Sequence, residues 1–134
     1  LEQTAIVSAR LQVAGRALEA YATWLGLEPE ERVRQLDDAL TTIGRAGPAV
    51  LGGDFNATPG STTCNAVQWA GFSDPFVVGD FDAPPTSPAI DPAERIDYVW
   101  ARGLVVRGAR VLDSLASDHR LVVVELAFES SVEP

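Results

Sequence analysis

The sequence predicts an α/β (α+β) sandwich, and three observations carry that expectation. Short β-branched apolar runs stand near the start, middle and end of the chain, apolar residues recur at helical spacing between them, and three strand-like runs follow one another near the C-terminus. The resulting order is strand, helix, helix, strand, helix, then consecutive strands, a pattern that pairs a mixed, largely antiparallel sheet with helices. At 134 residues, 46% hydrophobic and 22% charged, the chain has the balance of one folded domain. No apolar run approaches the roughly 18 residues that a membrane-spanning helix needs, so none of these residues is expected to span a bilayer.

Thr4 to Ala9 is apolar and β-branched and reads as the first strand. Ala14, Ala17, Leu18, Tyr21 and Leu25 then fall at helical spacing, predicting a helix that ends near Gly26. A second helix opens at Pro29 with Glu28, Glu30 and Glu31 about its positive end, buries Val33, Leu36, Leu40 and Ile43, and stops at Gly44, Gly47 and Pro48. Ala49 to Gly53 is a short buried strand running into Asp54, and a short helix over Thr62–Ala70 is closed by Gly71. Val77 to Ala93, with four prolines and three aspartates, has no usable period and is expected to be a long loop bordering the functional cleft. Arg95–Ala101, Leu104–Leu112 and Arg120–Phe128 read as three strands, close enough in sequence to be antiparallel neighbours.

The formal net charge is −9, and all ten cations are arginine. Broad electrostatic capture of nucleic acid depends on a basic face that displaces phosphate counterions, so this balance argues against it. It leaves room for a phosphate-bearing substrate held through a divalent cation. The single cysteine, Cys64, excludes an internal disulfide framework and a cysteine-based zinc site, and reads as a small core residue. Composition leaves the compartment open.

Three polar islands could carry chemistry. In Gly52-Gly53-Asp54-Phe55-Asn56-Ala57-Thr58-Pro59, a strand persisting to Asn56 would put Asp54 and Asn56 on one face, where together they could hold a water and a phosphoryl oxygen. A plain Asp/Asn turn satisfies the same pattern. In Arg95-Ile96-Asp97-Tyr98-Val99-Trp100, Asp97 interrupts an apolar strand and needs a partner, for which Arg95, two residues back, is one candidate. Ser117-Asp118-His119 precedes the last strand and holds the only histidine. Its ring is the one side chain whose ordinary pKa suits proton transfer near neutrality, although a lone histidine is more often a packed or surface residue. If Asp97 reaches His119, it would set the tautomer and stabilise the imidazolium, leaving Asp118 free to face a divalent cation.

Taken together, GDFN with a following TP, RIDYV, and SDH before a strand resemble the endonuclease/exonuclease/phosphatase superfamily, over about Val7 to Leu126. Val7-Ser8-Ala9-Arg10-Leu11 and Arg32-x-x-Gln35 look like the strand and helix that precede GDFN in that family. The resemblance implies a deoxyribonuclease-like fold and Mg²⁺- or Mn²⁺-dependent hydrolysis of a phosphoester. It implies Asp54 as the water-positioning carboxylate, Asn56 as the residue orienting nucleophile and phosphate, and Asp97 as the acid paired with the histidine. His119 would act at the scissile phosphate, and Asp118 would be a carboxylate at the metal. Arg10 stands where many members carry histidine and would clamp a phosphate instead.

Family domains are about twice this length, and their first part carries a strand asparagine and a metal-binding glutamate that have no counterpart here. With the absence of methionine, this leads to the expectation that residues 1–134 are one partial domain, with 129–134 a tail. They would form the C-terminal half of a four-layered α/β sandwich, inactive alone and associating with the missing half or with itself. The expected substrates are a small phosphoester, a lipid headgroup or a short nucleic acid. The alternative is a non-catalytic interaction module that keeps the fold.

Overall fold

The structure, a computed structural model, describes residues 3–130, so the last four residues of the expected tail lie outside it. The chain opens with a hairpin. Strands β1 (Ile6–Val13) and β2 (Arg16–Trp24) pair antiparallel through a two-residue turn in which Ala14 (φ 49°) and Gly15 (φ 77°) are both left-handed. That turn matches the right-handed twist of the strands it joins. The helix expected over 14–25 is therefore β2. The helical spacing of its apolar residues is an accident of an alanine-rich segment in which Tyr21 and Thr23 also alternate with Ala20 and Ala22. Pairing on both edges, with β1 and with the parallel β3, overrides local helix propensity.

Helix α1 (Pro29–Thr42) crosses from β2 to β3 (Ala49–Asp54), starting on Pro29 with Glu30 and Glu31 in its first turn and burying Leu36 and Ala39. Arg32 and Gln35 face the loop before it: the Arg32 guanidinium donates to the carbonyls of Gly26 and Leu27, and Gln35 Oε1 accepts the Gly26 N–H at 2.8 Å. Helix α2 (Thr62–Trp69) is capped by Ser61, whose hydroxyl accepts the Cys64 N–H, and α3 (Pro75–Val78) is capped by Asp74. Strand β4 (Asp97–Arg102) completes a mixed sheet in the order β1-β2-β3-β4, parallel only between β2 and β3. Its helix-side face holds the core, in which Leu25, Leu36, Leu51, Phe55 and Val67 are fully buried. The Tyr98 ring stacks on Trp100 at 5.0 Å and meets Phe55 edge-on at 5.6 Å.

The three C-terminal strands do not form one sheet. β5 (Leu104–Leu112) and β6 (Leu121–Phe128) pair only with each other, while the second edge of β4 is taken by a bridge from Ser73 to Ala101. Gly103, at φ 66°, turns the chain out of the first sheet between β4 and β5. Among the described residues the result is a mixed α+β fold with no closed barrel. Among the described residues no helix is long and apolar enough to cross a membrane.

Gly53, at φ 144°, is held against β2, where a Cβ would overlap the Thr23 carbonyl oxygen. Deeper in the fold, Arg95 forms a bidentate pair with Asp74 at 2.6 and 2.8 Å, its guanidinium lying 4.6 Å from the Phe76 ring centroid and 4.8 Å from that of Tyr98. Both partners are buried, so removing one leaves an uncompensated charge. Asp74→Ala is expected to lower the unfolding free energy by about 3–5 kcal/mol, read as a shifted midpoint in urea unfolding.

Candidate active site

The β3–β4 pairing puts Asp54, the last residue of β3, directly opposite Asp97, the first of β4. Cross-strand partners share a face, so both carboxylates project from the side of the sheet away from the core helices. His119, just before β6, closes the group. Its Nδ1 lies 3.0 and 2.9 Å from the two oxygens of Asp97 and 3.9 Å from Asp54 Oδ2. The Asp97 carboxylate accepts, so Nδ1 carries the proton of that hydrogen bond and Nε2 is the nitrogen left for a reacting group. All three side chains line one cleft of about 330 Å³, walled by Val99, Leu121 and Val122 and including Arg120. A larger cleft of about 470 Å³, between α1, α2 and Arg102, brings together none of the expected site residues.

Strand β3 ends at Asp54, so alternation does not extend to Asn56 as the sequence led us to expect. Asn56 instead takes a left-handed turn (φ 45°), donates its backbone N–H to Asp54 Oδ1 at 2.8 Å, and donates its Nδ2 to the Leu25 carbonyl at 2.6 Å. It thereby fixes the Asp54 carboxylate and ties the β2–α1 loop to the site. Strand β4 likewise starts only at Asp97, and Arg95 does not pair with it; its partner is Asp74. Asp118 is exposed, accepts the Ser117 hydroxyl at 3.2 Å, and is near enough for its charge to act on Asp54 and His119. Arg10 is not brought to the site. Register runs from Arg10 through Glu19 to Ala49, five residues from Asp54 along β3, or about 16 Å at strand rise. Its side chain is exposed and lies 3.6 Å from Glu19.

The sequence did not single out Thr86. It is fully buried, and its hydroxyl donates to Asp97 Oδ2 at 2.7 Å. No periodicity marks a lone threonine in a proline-rich loop. None of that loop, expected to border the cleft, is among the residues lining it, but it holds the segment around His119: Ala89 N–H donates to the Asp118 carbonyl at 2.6 Å, and Arg120 Nε donates to the Ala89 carbonyl at 3.1 Å.

Burial raises the Asp54 pKa above its ordinary 3.8, the Asn56 N–H opposes that, and the neighbouring Asp97 charge adds to it. The hydrogen bond to Asp97 raises His119 above 6.5, against a smaller effect of burial. One ligand atom from each of Asp54, Asp97 and His119 lies within 4.8 Å of the others. Two carboxylates at a cleft fit a hard divalent cation, which would offset the Asp97 charge that adds to the shift of Asp54.

Comparison with known proteins shows the family and the fold. The sequence pattern of the Endonuclease/Exonuclease/phosphatase family matches residues 18–119, and the chain belongs to that family. No curated protein matches it. Among solved structures it is similar to an endonuclease/exonuclease/phosphatase from Bacteroides vulgatus, at 20% identity and a TM-score of 0.76 over 94% of this chain and 55% of that one. It is similar to the mannosyl-6-phosphatase Bt3783 of Bacteroides thetaiotaomicron VPI-5482, at 22% identity and a TM-score of 0.71 over 86% of this chain and 53% of that one. A humanized D. rerio TDP2 matches at 17% identity and a TM-score of 0.74 over 92% of this chain and 60% of that one. The chain thus spans about half the length of these structures.

Both shifts have the same sign for stability. A folded-state pKa above the unfolded value stabilises below the unfolded value and is lost as pH rises through the folded one. The stability of the metal-free protein should therefore fall above pH 3.8 as Asp54 ionises, and again above 6.5 as His119 loses its proton. Thermal unfolding between about pH 5 and pH 9 should show the second fall in the unsubstituted protein and not in His119→Gln. Asp54→Asn should raise the melting temperature at neutral pH.

Proposed function

We propose that this chain supplies the catalytic face of a metal-dependent phosphoester hydrolase. The observation that carries the reading is the convergence of Asp54, Asp97 and His119, distant in sequence, into one cleft with His119 hydrogen-bonded through Nδ1 to Asp97. The carboxylates of Asp54 and Asp97 would hold the cation, with Asp118 at its margin, while His119, its Nδ1–H bonded to Asp97, would stay outside the coordination shell. Bound Mg²⁺ or Mn²⁺ supplies charge neutralisation of the phosphoryl oxygens and an ordered hydration shell.

The remaining chemistry belongs to the side chains. Asp54, held by the Asn56 N–H and raised in pKa, orients the attacking water and accepts its proton. The Asn56 amide keeps one N–H and its carbonyl oxygen beyond the bond to Leu25, for the nucleophile and a phosphoryl oxygen. Asp97 keeps His119 in the Nδ1–H form and favours its charged state, so Nε2–H donates to the developing phosphoryl charge or to the leaving oxygen. Arg10, at the far end of the sheet, has no part in this.

The acidity of the chain favours a small phosphoester, a lipid headgroup or a short nucleic acid over long duplexes. Two features support association with a further polypeptide, either the rest of a longer protein or a second copy. The chain spans about half the length of the structures it resembles. Val7, Leu11 and Val13 are 66, 42 and 43% exposed, on the sheet face that also carries Asp54 and only a two-stranded second sheet.

In the complete protein with Mg²⁺, Asp54→Ala or His119→Ala is expected to lower hydrolysis of an aryl phosphodiester or monoester by about 100-fold or more. A loss under about tenfold would defeat the assignment. Titration calorimetry should show Mg²⁺ binding that weakens in Asp54→Ala. A folded protein that binds no Mg²⁺ would favour the interaction-module reading.

A further inference from the structure

Thr86 makes more structural commitments than its place in a loop would suggest. Its hydroxyl lies 3.1 Å from the Ile96 N–H and 3.2 Å from the Asp97 N–H, both donors, and 2.7 Å from Asp97 Oδ2. The two N–H groups occupy the lone pairs of the hydroxyl oxygen, so its single proton goes to Asp97 Oδ2. The same residue reaches the histidine segment through its backbone, its carbonyl accepting the Arg120 N–H at 2.7 Å. A third hold, from the Thr86 N–H to the Glu94 carbonyl at 2.9 Å, ties it to the chain entering β4. One fully buried side chain thus grips the carboxylate that orients His119, and its peptide group anchors the residue after His119.

We propose that Thr86 is a positioning residue that sets the geometry of the Asp97–His119 pair. The inference rests on the reading of that pair as part of a hydrolytic site. Asp97 has two oxygens within reach of Nδ1, at 3.0 and 2.9 Å, and rotation about its side chain would change which of them His119 meets. Donation from Thr86 to Oδ2 restricts that rotation. Thr86 acts only through Asp97 and touches no reacting atom.

Thr86→Val preserves volume and branching and removes the hydroxyl, whereas Thr86→Ser keeps the hydroxyl and removes the methyl. His119 is the only histidine, so long-range ¹H–¹⁵N spectra of the full chain, at a pH where the ring is neutral, report its tautomer without ambiguity. The unsubstituted protein and Thr86→Ser should hold the proton on Nδ1. Thr86→Val should shift it toward Nε2, the form a free imidazole prefers. With Mg²⁺ and bis(p-nitrophenyl) phosphate in the complete protein, Thr86→Val should lower kcat by about 10- to 100-fold with little change in KM, and Thr86→Ser should restore most of it. A folded Thr86→Val that keeps the Nδ1–H tautomer overturns the proposal, as does a Thr86→Ser as impaired as Thr86→Val. If Thr86→Val does not fold, the unsubstituted protein decides: a slowly exchanging Thr86 hydroxyl proton supports donation to Asp97, and its absence overturns it. The tautomer readout needs no substrate. A tautomer shift in a protein that hydrolyses nothing would therefore uphold the positioning role while refuting the hydrolase.

Discussion

Two carboxylates placed opposite one another at the same end of neighbouring strands repel, and the site is organised around that repulsion. The register of β3 against β4 makes Asp54 and Asp97 cross-strand partners, and neither can move away without breaking the ladder. Each is therefore held by donors. The Asn56 N–H binds Asp54, and the Thr86 hydroxyl and the His119 Nδ1–H bind Asp97; burial first, and then the Asp97 charge, still hold the Asp54 pKa above its ordinary value. Two carboxylates facing one cleft are what make it suited to a divalent cation.

Holding such an arrangement requires a rigid support, and the fold provides it on the opposite side of the sheet. The stacked Tyr98 and Trp100 rings and the edge-on Phe55 fill the space beneath the strand ends. Tyr98 adds a hydrogen bond to the Ala57 carbonyl at 2.8 Å, joining the segment after Asp54 to β4. The buried Arg95–Asp74 pair fixes the chain just ahead of Asp97. Residues next to the reactive groups in sequence thus point into the core, and their packing limits how far Asp54 and Asp97 can drift. The long loop contributes through Thr86, which donates to Asp97, and Ala89, which donates to the Asp118 carbonyl.

Much of the site was legible because its members sit in short, chemically unusual strings: an aspartate at a strand end after two glycines, an aspartate at the head of an apolar strand, and a single histidine just before another. Strand alternation does not carry past the ends of a strand. A period of two would put Asn56 on the face of Asp54 and offer Arg95 as a partner for Asp97, yet β3 ends at Asp54 and β4 begins at Asp97. Beyond those limits backbone direction is set by turns and by the Arg95–Asp74 pair. The second strand was read as a helix because its alanines have strong helix propensity and its apolar residues fit both periods. Pairing on both edges settles such a case, and a single segment carries no information about its neighbours.

The sequence by itself determined the α/β class, the position of α1 and the polar strings that hold Asp54, Asp97 and His119, because these depend on local periodicity, capping and residue type. Only the tertiary structure decided that β5 and β6 form a separate layer, that Arg10 lies far from the acids, and that Thr86 belongs with Asp97. Those facts depend on which strands share hydrogen bonds and in what register, and contacts between residues far apart in number leave no local mark on the chain.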